Sequence, residues 1–173
     1  MSGAKILRGN ASQFFVAGEL CRRGAVAVVT LGNCPNTDIL CSNPEGTRFA
    51  HIQVKTFVPG GRTCSVGMKA EKNYGPKFFW VLAGIPSPPL HGGSSQAEEA
   101  FEYFVIPCNE MAKNVSESHR LWLQAPGKKG QPHAADNTIR TVRLPPGKSR
   151  NGWDILQYRD DWKPILDVLE VGS

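Results

Sequence analysis

The chain lacks any apolar run approaching the roughly 18–20 residues that a bilayer-spanning helix needs. Its opening stretch, MSGAKILRGNASQ, has neither an apolar segment nor a cleavage pattern, so no signal peptide is expected and a cytoplasmic location is. No C-x-x-C pair occurs, and the five cysteines (Cys21, Cys34, Cys41, Cys64, Cys108) are odd in number and scattered. That argues against a disulfide framework or a zinc knuckle and reads them as free thiols. The four histidines (His51, His91, His119, His133) show no zinc spacing and pair with no serine or cysteine at a recognisable separation. Internal repeats are absent. Acid is scarce in the first half: residues 1–90 carry ten Lys or Arg against four Asp or Glu. Residues 91–173 are near balance, but a basic stretch at 125–152 holds six bases and one acid. A surplus of positive surface favours polyanionic partners, because each neutralised phosphate releases counterions.

What is present reads as one domain over residues 1–173, with a core at about 10–107 and a helix, basic loop and tail at about 108–173. NASQFFVAGELCRRG predicts a helix capped by Asn10 and stopped by Gly24. AVAVVTL (25–31) is continuously apolar and predicts a buried strand. TDILCS (37–42) and RFAHIQVKTFV (48–58) predict an antiparallel pair joined by the turn NPEGT. A short strand near 62–66 and one helical turn in MKAEKNYG follow. KFFWVLAGI (77–85) and FEYFVIP (101–107) are dense in strand formers. A Pro/Gly/Ser-rich loop spans 86–96, and Pro107 opens a further helix. One strand is expected within TIRTVRL, and a last helix broken by Pro164, with Asp160 and Asp161 at its cap. This order predicts an α/β fold with a central mixed sheet flanked by helices.

The polar residues on the central pair are out of place for mere structure. Alternation puts Gln53 and Lys55 on one face of their strand, and antiparallel pairing brings Asp38 beside them. His51 shares that parity. The first helix is expected to present Glu19 to the same spot. Oxygen donors of this kind suit Mg²⁺ or Mn²⁺, held by Asp38, the Gln53 side-chain oxygen and the main-chain carbonyl of Val54. Lys55 beside such a cation would orient water or stabilise charge on phosphate. Singly, each has a plainer account: Glu19 as partner of Arg22 or Arg23, Asp38 as a turn cap, Lys55 as an edge lysine.

Glu19 on a first helix, Asp38 opening a strand and QVK (Gln53, Val54, Lys55) on the next resemble the PD-(D/E)XK nuclease superfamily. That family includes restriction enzymes, Holliday-junction resolvases, repair nucleases and some homing endonucleases. The likeness covers about residues 10–57, with KFFWVLAGI and FEYFVIP as later core strands. It implies a restriction-endonuclease-like core, catalytic roles for Glu19, Asp38, Gln53 and Lys55, and an indirect metal contact from Glu19 through water. Thr37 stands where the family pattern has Pro, and Gln53 where it has Asp or Glu. Glutamine keeps an oxygen ligand and gives up a charge, which implies weaker metal affinity and a one-metal mechanism.

Lys69, Lys72, Lys128, Lys129, Lys148 and Arg150 are the candidate contacts to a nucleic-acid backbone. The function implied is metal-dependent hydrolysis of DNA, and cutting both strands implies a homodimer. Two alternatives stay open: a non-cleaving nucleic-acid-binding module on the same fold, and a protein-interaction domain.

Overall fold

The computed structural model describes residues 3–30, 34–86, 100–127 and 129–172. The predicted Pro/Gly/Ser-rich loop therefore falls almost wholly outside the described residues, as do His91 and Lys128. The chain runs α1 (Gly3–Cys21), β1 (Val26–Val29), β2 (Ile39–Ser42), β3 (Phe49–Phe57) and β4 (Thr63–Ser65), then a 3₁₀ turn at Met68–Glu71. It continues with β5 (Phe78–Gly84), β6 (Glu102–Pro107), α2 (Cys108–Gln124), β7 (Thr141–Arg143), a second 3₁₀ turn at Leu156–Tyr158, and α3 (Lys163–Leu169). Five strands form one sheet in the order β1-β2-β3-β5-β6, while β4 and β7 pair antiparallel as a separate ribbon. β3 and β5 are parallel and the other sheet pairs antiparallel, which makes the sheet mixed, as predicted.

Strand alternation divides the sheet into two apolar faces. On one, Ile39, Ile52, Val54, Phe79, Val81 and Val105 meet α1 and α3 through Val16, Leu20, Ile165 and Leu169. On the other, Phe57, Trp80, Leu82, Phe104 and Ile106 meet α2 and the ribbon through Met111, Val115, Cys64 and Val142. β5 is buried at every residue because both faces are covered, which explains its unbroken apolar run. Each fully buried Leu or Ile here contributes about 1.5–3 kcal/mol relative to exposure. Gly84 lies opposite Phe57 across the β3–β5 pair, and a Cβ there would stand 2.6 Å from the Phe57 ring. Any larger residue would push these strands apart.

Several expectations need correction. α1 begins seven residues before Asn10, which sits exposed in mid-helix. Lys5, Ile6, Leu7 and Arg8 are ordinary helix formers, and an interior Asn costs only about 0.7 kcal/mol at most. Gly24 does end the turn as expected, at φ 93°, with its N–H bonded to the Cys21 carbonyl. β1 is an edge strand whose Val26 and Val28 are exposed, so an apolar run did not mean burial on both faces. Pro164 opens α3 instead of breaking it, since its missing N–H is unneeded in the first turn. Trp162 occupies the cap position, with no side-chain bond from Asp160 or Asp161. All five cysteines are free. Among the described residues no helix is long and apolar enough to cross a membrane.

Candidate active site

Register decides the geometry around Asp38. Ile39 pairs with Ile52, and the Asp38 N–H donates to the Ile52 carbonyl at 2.9 Å. Asp38 thus lies just before β2, its carboxylate meets the Gln53 side chain, and both line one cavity. Past the end of β2 the Val54 N–H has no strand carbonyl to meet. Asp38 Oδ2 takes that role, accepting from Val54 N at 2.7 Å. The same oxygen accepts from Gln53 Nε2. With its nitrogen so engaged, the Gln53 amide has its carbonyl oxygen left for another partner. The Val54 carbonyl shares the side of the strand from which its N–H reaches Asp38, because both groups of an extended residue point the same way.

Burial pushes the Asp38 carboxyl above its ordinary value, and this outweighs the Val54 N–H, the charge of Lys55, the Gln53 amide and the charge of Lys69. The carboxylate faces a cavity of about 590 Å³ that Lys55 and Lys69 also line, together with Cys34, Asn36 and the backbone turn at Val66–Gly67. Among the described residues Lys55 makes no ion pair within 4 Å, so its ammonium is left to act on the cavity. Asn36 adopts a left-handed backbone (φ 68°), and its Oδ1 is buried with no hydrogen-bond partner among the described residues. Sequence patterning did not single it out.

The oxygens at this cavity are hard donors from Asp38, Gln53 and Asn36, with the Val54 carbonyl alongside. They fit a largely hydrated Mg²⁺ or Mn²⁺ that completes its shell with water and a substrate phosphate. The buried, partnerless Asn36 oxygen fits the same reading. A closed protein cage does not fit, since no cluster of three or more His, Cys, Asp or Glu exists among the described residues.

Glu19 is not brought to this cavity. α1 covers the face that carries Ile52 and Val54, whereas Gln53 and Lys55 leave from the other. Its carboxylate is held by Arg22, with Nε at 2.9 Å, and by Arg23. Burial pushes the Glu19 carboxyl up, but the hydrogen bonds from Arg23 and Arg22 prevail and hold it below the ordinary range. The groups that feel its charge, Tyr103 and Asp160, belong to the β6 end of the sheet, away from β2. The expected first-helix contribution fails because helix phase does not reveal which sheet face a helix covers.

The basic candidates disperse. Lys69 lines the Asp38 cavity, while the Lys72 ammonium lies 5.4 Å over the Tyr74 ring. Lys129 is exposed on a turn held by Gln131. Lys148 and Arg150 line a different cavity, beside α2 and the ribbon. His51 is exposed, with Nδ1 3.2 Å from the Thr37 hydroxyl. Trp153 and Trp162 are core residues.

No protein-family model matches the chain, and no curated protein sequence matches it either. Among solved structures, the bacterial homing endonuclease I-Ssp6803I superposes with a TM-score of 0.50 at 17% identity, covering 94% of this chain and 92% of that one. At that identity the likeness speaks for fold alone: the five-stranded mixed sheet with its flanking helices is a nuclease-like α/β core.

Proposed function

We propose that the protein is a metal-dependent nuclease of the PD-(D/E)XK type that hydrolyses DNA phosphodiester bonds through the Asp38 cavity. The observation that carries this reading is the meeting of Asp38, Gln53, Lys55 and Lys69 at one open cavity on a fold shared with an endonuclease. Asp38, the Gln53 amide oxygen and the Val54 carbonyl are the candidate ligands for Mg²⁺ or Mn²⁺, with Asn36 as a fourth oxygen. When bound, the cation would supply Lewis-acid polarisation of the phosphate and lower the pKa of water.

The chain's own residues do the rest. Lys69, at the rim, attracts and orients the phosphate. Lys55 holds its ammonium where negative charge grows on the phosphoryl oxygens, and among the described residues it meets no competing carboxylate within ion-pair distance. Glu19 is left out of the set, since two guanidiniums already neutralise it. One site cuts one strand, so cleavage of a duplex calls for two copies of the chain.

A second reading, a DNA-binding module without cleavage, draws on one specific observation. Both Gln53 and Val54 already occupy Asp38 Oδ2, and among the described residues Asp38 is the only carboxylate lining the cavity. Supercoiled plasmid incubated with Mg²⁺ or Mn²⁺ separates the two. Nicking by the wild type that vanishes with EDTA and falls about 10²–10³-fold in Lys55→Ala is the expected result. Retardation of DNA without nicking, unchanged by Lys55→Ala, would install the second reading instead.

A further inference from the structure

A second cavity of about 420 Å³ opens between α2, the β4–β7 ribbon and the segment after β7. Arg140, Arg143, Lys148 and Arg150 line it, and among the described residues no carboxylate does. These cations are not equivalent. Arg140 is buried, its Nε donating to Glu71 at 2.5 Å and its Nη1 to the Asn137 and Ile139 carbonyls, so it braces the ribbon. Lys148 has only a loose, exposed contact to Asp154 at 3.8 Å. Arg143 and Arg150 are exposed and have no acidic partner among the described residues. Like charges gathered along a concave wall raise the local potential and attract an anion. The ribbon's outward hydroxyls, Thr63 and Thr141, add donors to the same wall.

Two further observations define the anion. The indole of Trp122 stacks with both His119 and His133, with ring centroids 5.4 and 3.8 Å away at small interplanar angles. The one indole lining the cavity thus already has two imidazole partners, and what is left for a ligand is charge. The second observation is proximity to the Asp38 cavity. The Arg140 carbonyl accepts from Val66 N at 2.9 Å and Gly67 N at 3.4 Å, and those two residues line the Asp38 cavity. The two cavities thus flank one ribbon.

We propose that this basic cavity is an anchoring subsite for a backbone phosphate of the same DNA whose scissile phosphate lies at Asp38 and Lys55. The proposal rests on the nuclease reading for the second phosphate's place. Arg143 and Arg150 grip, Lys148 assists, and Arg140 shapes the wall. Contacts of this kind fix position and carry no sequence information.

The test is fluorescence anisotropy with short duplexes of several sequences over a salt series, with Lys55→Ala as the non-cleaving background. Adding Arg143→Gln and Arg150→Gln should weaken binding about tenfold, equally for every duplex, and lower the slope of log affinity against log salt by about 2. Thermal melting should be unmoved, as both residues are exposed. An unchanged slope overturns the subsite. So does binding of inorganic phosphate or a mononucleotide that depends on these arginines while duplex affinity does not. Nicking is scored separately: arginine-dependent binding without nicking by the wild type removes the nuclease reading and keeps the anchor, and nicking with an unmoved slope does the reverse.

Discussion

The two cavities lie on either side of one β-ribbon, yet they are built by different means. Around Asp38 the carboxylate, Gln53 and Lys55 hang on strand register, with a backbone N–H fixing the carboxylate, while Asn36 and Lys69 come from the adjoining turns. Of the cations in the basic cavity, Arg143 alone belongs to a strand, while Lys148 and Arg150 ride on the segment beyond it. Groups that must meet a reacting atom to within a fraction of an ångström belong on rigid elements, whose neighbours lock them. Groups that only attract a phosphate need less precision, since Coulomb attraction falls off slowly with distance. On the proposed reading the carboxylate cavity would serve placement and the basic cavity attraction.

That contrast can be broken by substitution, and the largest effect is expected at the carboxylate. Asp38→Asn keeps the shape and removes the charge, and nicking should drop about 10²–10³-fold with duplex affinity nearly intact. Equal losses in both assays would erase the distinction between placing and attracting. Next comes Gly84→Ala, which forces a Cβ against Phe57 and so disturbs the β3–β5 pair beneath Gln53 and Lys55. Overpacking of this kind costs about 1–3 kcal/mol, read as a lowered Tm. Nicking should fall further than DNA binding, because the strands that carry the carboxylate cavity move and the ribbon does not.

A smaller effect is expected in stability against pH. Burial raises the Asp38 carboxyl above its ordinary 3.8, so the folded chain carries the charged form at a cost. The associated stability is complete below the ordinary value and is lost as pH rises through the raised one. Asp38→Asn has no such loss. The Tm of the variant relative to wild type should therefore increase from acid to neutral pH in metal-free buffer, and a gap independent of pH would refute the buried charge. The least effect belongs to Glu19→Gln. It removes a largely local pairing with Arg22 and Arg23, for which exposed pairs suggest about 0.2–1 kcal/mol, and nicking should stay within about twofold. A loss comparable to that of Asp38→Asn would return Glu19 to the site.

Asp38, Gln53 and Lys55 were legible in the sequence because a period of two and one short turn fix both face and partner. The pairing of 37–42 with 48–58 follows from the turn residues alone. Glu19 was not legible, since its meaning depends on which side of the sheet α1 covers. The exposed faces of Val26 and Val28 were hidden for a related reason: edge and interior strands both read as VAVV. Asn36 gave no signal, as its place depends on a left-handed turn before β2. Arg143 and Arg140 escaped notice because their cavity arises from pairing 63–65 with 141–143, remote in the chain. A trace was present in TIRTVRL, where alternation puts Arg140 on the side of buried Val142 and Leu144, and an arginine there demands a partner such as Glu71.

The Arg140 carbonyl, which clasps Val66 and Gly67, has one more consequence. On the reading proposed above, it would make the ribbon a spacer between the point that cuts and the point that grips. A tool of that form would measure as it worked: the bond broken would be set by distance from the held phosphate, not by the letters of the sequence. Lengthening the turn at Gly67 by one residue would then reset the gauge, and the cut would move along the strand while the grip stayed where it was.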